Sequence, residues 1–149
     1  MATTKHKHGP EPAESVLSRL RVSLIRSATL HVGGQPEETL MLDLGLEGIF
    51  IERGASLARG TSVRLRFTLP GNERPVDVAA RVAWCNVAGP ERLCARRPAG
   101  LGLEFARISP SDRQRLRSLL LEHYRRPPRA RQFAPPWPVP GAPDRQGDE

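Results

Sequence analysis

Lysine is almost missing from this chain: Lys5 and Lys7 are the only two, and every later basic side chain is an arginine. With abundant alanine, glycine and proline, this reads as a bias of the coding sequence, so the arginine count by itself carries little functional meaning. Cysteine is scarce as well. Cys85 and Cys94 stand nine positions apart, too few thiols for a structural zinc site, and free thiols are expected. Aromatic residues make up 5% of the chain, with no aromatic row along any strand pattern, which argues against a base-stacking platform and makes nucleic acid an improbable partner. Long hydrophobic runs are absent, so no segment is expected to insert in a membrane. Met1 to Glu14 is polar and proline-bearing, unlike a signal peptide, and a cytoplasmic location is expected.

Catalytic constellations are missing too. No serine sits in a nucleophile elbow, no cysteine and histidine share a recognisable spacing, no glycine loop opens a helix, and no His-Glu metal motif occurs. His6 and His8 are a weak chelating pair in a flexible leader; no catalytic residue, metal site or cofactor is expected. The formal charge is +7, but between Leu20 and Tyr124 fifteen arginines face eleven carboxylates. That excess is scattered along the chain and permits anionic partners without demanding them.

The 149 residues allow one domain with tails. A leader is expected over 1–18, with a turn or two of helix available from Glu14 to Leu20. A strand runs from about Arg21 to Val32, Gly33-Gly34-Gln35-Pro36 signals a turn, and Thr39–Leu44 reads as the return strand. Gly45 and Gly48 punctuate before a short strand, Ile49-Phe50-Ile51. Val63, Leu65, Phe67 and Leu69 alternate with polar neighbours, as do Val76, Val78, Ala80, Val82 and Trp84, so two half-buried strands joined by a Pro70-Gly71-Asn72 turn are predicted to pair as a hairpin. Val63, Leu65, Phe67, Val76, Val78, Val82 and Leu103 are predicted to face inward. Gly100–Phe105 is a further strand whose glycines admit close backbone contact. Ser109, Pro110 and Asp112 mark a helix start, with Leu116, Leu119, Leu120 and His123 on one face. The pattern predicts an all-β fold: a small antiparallel barrel of five to six strands with one C-terminal helix. From 125 to 149 a disordered, proline- and arginine-rich tail is expected. Its Pro135–Pro140 run suits polyproline II docking, and the plainer reading is a solvated tail.

One stretch carries a more specific pattern. Asp43-Leu-Gly-Leu-Glu-Gly48, followed by Ile-Phe-Ile, resembles the Asp/Asn-x-Ser-x-x-Gly signature of the PilZ family, with Gly45 where serine is usual. That family's second signature is Arg-x-x-x-Arg before the first strand. Arg21 matches its second arginine, Leu17 stands at the first, and Arg19 is nearby but out of phase. Val82-Ala83-Trp84 and Gly100-Leu-Gly-Leu-Glu-Phe105 are similar to the family's late strands, and the resemblance covers 19–124.

The resemblance implies a bacterial receptor or effector for cyclic diguanylate. Such a ligand offers phosphates and guanine edges, which suit the planar fork of arginine, while a carboxylate accepts from guanine N–H groups. Arg21, Asp43, Gly45 and Gly48 are the matching positions, with Arg19 as a substitute cation. The small residues are expected to form a floor that the ligand approaches, and Leu17→Arg is expected to restore the pair. Alternatively, Asp43 and Gly48 merely form a turn and Arg21 is a solvated strand-end residue. The second functional reading is a PilZ-like adaptor that binds a protein partner, for instance in motility or export machinery, and has lost the nucleotide.

Overall fold

A computed structural model describes residues 13–86 and 98–126, and for Asn72 and Glu73 the backbone alone. The earliest leader, Cys94 with the segment around it, and the tail from 127 onward lie outside the described residues.

After a short helix α1 (Glu14–Leu17), six strands follow: β1 (Val22–Val32), β2 (Gln35–Leu44), β3 (Gly48–Glu52), β4 (Ser62–Leu69), β5 (Asn72–Asn86) and β6 (Gly100–Arg107). They close an antiparallel barrel in the order β1-β2-β3-β6-β5-β4, and helix α2 (Pro110–Tyr124) completes the fold. Closure comes from pairing of Ala28–His31 with Phe67–Arg64. The β1–β2 turn is tighter than the four-residue signal suggested. Gly33 and Gly34, at φ of 58° and 81°, make a two-residue loop whose positive φ values match the twist of the flanking strands.

The period-two reading holds on the inner face. Val63, Leu65, Phe67, Val76, Val78, Val82 and Leu103 are all buried in one core with Leu30, Met41, Ile49 and Ile51. Trp84 breaks the pattern. The register between β5 and β6 slips between Val82 and Trp84, so Trp84 pairs with Gly102 and leaves the Val76–Val82 face. Phe50 of β3 pairs with the same glycine from the other side. The two rings stack at 5.4 Å between centroids, in a cluster separate from the barrel core. A Cβ on Gly102 would come within 1.9 Å of Trp84 Nε1, and one on Gly100 within 2.1 Å of the Ile51 carbonyl oxygen. Both glycines therefore serve close approach.

The α2 start is as the sequence marks it: the Ser109 hydroxyl accepts from the Asp112 N–H at 3.1 Å, with Pro110 at the first helical position. Its buried apolar residues are Leu116, Leu120 and Leu121, which join the core, whereas Leu119 and His123 are half-buried. Arg115 fastens the helix to the β4–β5 hairpin by donating to the carbonyls of Arg74 and Pro75, and within the helix it donates to Asp112. At the other end, the leader boundary expected at residue 18 falls inside the core-forming segment. Leu17 and Leu20 are both 0% exposed, so the body of the domain includes α1. Among the described residues no helix is long and apolar enough to cross a membrane.

Candidate functional site

The β1–β2 pairing brings Arg21 and Asp43 together. Val22 faces Leu44 and Ser23 faces Asp43, so Arg21, just before β1, lies beside the C-terminal end of β2. Its Nε and Nη2 both donate to Asp43 Oδ1, at 3.2 and 2.6 Å. The side chains are only 8% and 12% exposed. Arg21 is therefore not a solvated strand-end residue. It is half of a buried ion pair whose desolvation is offset by two charge-assisted bonds.

The turn that follows is closed by the Gly45 N–H donating to the Gly48 carbonyl at 2.9 Å, and the Glu47 carbonyl accepts from the Phe105 N–H of β6. Gly45 and Gly48 are buried, and Leu46 between them belongs to the core. The expected role of Gly45 as an open floor needs correction. A Cβ there would stand 2.6 Å from Arg21 Nη1 and 3.1 Å from Arg21 Cδ. The space that a side chain would use is filled by the chain's own guanidinium. Glycine in place of serine is thus matched to the inward pose of Arg21.

Arg19 is exposed, and its side chain makes no ion pair among the described residues, while its N–H donates to the Val16 carbonyl at 3.1 Å. It lies on the surface two residues before the pair, in a segment pinned by Leu17 and Leu20. Leu17, at the position of the missing arginine, points into the core. The substitution Leu17→Arg would bury a charge there, so it is no route to restoring the pair, contrary to the expectation from spacing.

Sequence reasoning missed a second set of charges around this turn. Glu47, the exposed member of the turn, lies 3.6 Å from Arg113 of α2, and Arg113 and Arg117 lie 4.0 and 3.5 Å from Glu14 of α1. No local signal joins residues so far apart in the chain; only the i, i+4 spacing of the two arginines was visible. Elsewhere, Arg64 and Arg66 share Asp77, and hydrogen bonding from Arg66 holds the Asp77 carboxyl below its ordinary range. Arg53 does the same to Glu37 through a bidentate pair. Among the described residues no three His, Cys, Asp or Glu side chains cluster as metal ligands.

A comparison with solved structures gives the inhibitor of motility MotI/DgrA of Bacillus subtilis, with TM-score 0.58 and 22% identity over 70% of this chain and 49% of that one. Two others are PlzA of Borreliella burgdorferi in complex with c-di-GMP (TM-score 0.46, 13% identity, 83% and 44% covered) and the PilZ domain of CeSA from a cellulose-synthesizing bacterium (TM-score 0.46, 17% identity, 71% and 98% covered). The chain spans about half the length of MotI/DgrA, so that likeness speaks for the fold of the shared part. No curated protein matches. The family model for the PilZ domain matches residues 18–122, most of the chain and the whole of the barrel with nearly all of α2: the protein belongs to the PilZ domain family.

Proposed function

We propose that this PilZ domain is a cytoplasmic bacterial receptor for cyclic diguanylate, with Arg21 and Asp43 as its principal contacts. The observation that carries the reading is their meeting across 22 residues of sequence beside the Gly45–Gly48 turn, at the positions where the family pattern puts an arginine and an acid. The chemistry is an exchange of partners. A ligand phosphate competes with Asp43 for the Arg21 guanidinium, and the released carboxylate accepts from guanine N–H groups. One set of charge-assisted bonds replaces another, so opening the pair need not cost the full strength of the contact. Arg19, exposed on the approach, adds a cation near the phosphates.

Calorimetric titration of the full chain with cyclic diguanylate tests this. Saturable binding that weakens at least about tenfold in Arg21→Ala is the expected result, since one charge-assisted contact is worth roughly 1.5–3 kcal/mol. Unchanged affinity in that variant would remove Arg21 from the site.

The second reading is an adaptor that binds a protein partner and no nucleotide. It is favoured by the burial of Leu17 where the family has an arginine and by the engagement of Arg21 with Asp43 and Gly45. Ile25, 67% exposed on the outer face of β1 beside the register slip between β1 and β2, and Leu40 on β2 supply apolar surface. No heat of binding from the wild type at millimolar nucleotide would favour this reading.

A further inference from the structure

A site that is to hold a ligand with two phosphodiesters but has one arginine fewer needs another source of positive charge, and helix α2 presents one. Arg113 and Arg117, one helical turn apart and so on the same face, reach carboxylates in the turn that follows Asp43 and in α1, which precedes Arg21. Arg113 reaches Glu47 in the Gly45–Gly48 turn at 3.6 Å, and Arg117 reaches Glu14 of α1 at 3.5 Å. These contacts are long, and the carboxylate side chains are 57% and 61% exposed. They are longer and more exposed than the buried Arg21–Asp43 bond, with the Arg113 and Arg117 side chains 41% and 28% exposed, so an incoming phosphate competes for them.

We infer that Arg113 and Arg117 are phosphate-binding residues of the cyclic dinucleotide site, supplied by the C-terminal helix in place of the arginine that Leu17 replaces, with Glu47 and Glu14 as built-in competitors. The inference rests on the reading of the domain as a nucleotide receptor and deepens it. Three features of the fold support it. Leu17 is buried and brings no charge to the surface. The turn that holds Gly45 against Arg21 also carries Glu47 to Arg113, so one four-residue loop touches both cations. The α2 start is fixed by the Ser109 cap, and Arg115 ties the same helix to the β4–β5 hairpin, so the two outward arginines are held in place before any ligand arrives. Taking Arg113 and Arg117 from Glu14 also removes the ion pairs that join α1 to α2.

The test is titration of the full-length protein and its variants with cyclic diguanylate at low and high salt. Arg113→Ala and Arg117→Ala should each weaken binding about tenfold, with a shallower salt dependence than the wild type because fewer charges attract the phosphates. Arg64→Ala, which removes an equal charge from the β4 face, should change affinity less than twofold. Glu47→Gln and Glu14→Gln should tighten binding, a gain that damage to the fold cannot mimic. If Arg21→Ala weakens binding while the Arg113→Ala/Arg117→Ala double variant binds like wild type, α2 is not part of the site and this inference fails alone. Unchanged or weaker binding in Glu47→Gln overturns the competition. Absence of binding by the wild type overturns the receptor reading, and this inference with it.

Discussion

Gly45→Ala is the sharpest probe of how the Arg21 pose is held. The added Cβ would sit 2.6 Å from Nη1, 3.1 Å from Cδ and 3.2 Å from Cζ of Arg21. Ordinary contact starts near 3.4 Å, so the end of the guanidinium must retreat by about 0.8 Å. It has little room to do so, because Nε and Nη2 are both bonded to a single oxygen, Asp43 Oδ1. Relief therefore costs at least one of those bonds, roughly 1.5–3 kcal/mol for a charged contact. For a domain near 100 residues, about 2 kcal/mol lowers the melting temperature by roughly 8–16 °C. Thermal denaturation followed by circular dichroism should show that fall for Gly45→Ala, and at least as much for Gly45→Ser. A double-mutant cycle isolates the cause: with Arg21→Ala in place the clash disappears, and adding Gly45→Ala should cost almost nothing further. A Gly45→Ala protein melting within about 2 °C of wild type, or an equal penalty in both backgrounds, would refute the claim that glycine is needed here to seat Arg21.

Three other outcomes follow from the same geometry. Leu17→Arg should destabilise the domain by several kcal/mol, because it places a charge at a fully buried core position; chemical denaturation measures this, and a stable variant with tighter nucleotide binding would contradict the placement of Leu17. Gly102→Ala should disrupt the stacked Phe50–Trp84 pair, since its Cβ would meet Trp84 Nε1 at 1.9 Å; a large change in tryptophan fluorescence with a lowered melting temperature is expected, and an unchanged emission spectrum would show that the ring is not seated there. The lowered pKa values of Asp77 and Glu37 mean that each carboxylate contributes stability that is fully present above its unfolded pKa, about 4, and lost as the pH falls through the lower folded value. The Asp77 pairs are exposed and the Glu37 pair is partly so, so each contribution is small; Asp77→Asn should flatten the acid limb of the stability curve slightly while lowering stability at neutral pH, and an unaltered acid limb would remove Asp77 from the account.

The barrel was legible because β4 and much of β5 bury one face. Val63, Leu65 and Phe67, and across the hairpin Val76, Val78, Ala80 and Val82, repeat every second residue, and that period fixes which side chains share an interior wherever the sheet is regular. The Ser109-Pro110 start of α2 was equally readable, since a cap depends on residues within one turn. Trp84 is buried, as the alternation implies, but away from the Val76–Val82 face, because the register with β6 slips between Val82 and Trp84; nothing local to β5 announces that slip, and Gly102 on the neighbouring strand leaves room for the ring. The same holds for the inner residues of α2, where Leu121 rather than Leu119 is buried because the barrel decides which part of the helix is covered.

At the candidate site the division is similar. The order Arg21, Asp43, Gly45, Gly48 is a property of the sequence by itself, and so are the absence of an arginine at position 17 and the presence of glycine at 45. What those departures mean was decided by tertiary structure. Leu17 turned out to be a core residue and Gly45 a seat for a guanidinium, and the loop carrying Glu47 came to rest against Arg113 of a helix more than sixty residues away in the chain. Local chemistry sets strand periods, caps and tight turns because it acts between neighbours in the chain. Ion pairing and close packing act through space, and only the closed barrel brings those partners within reach.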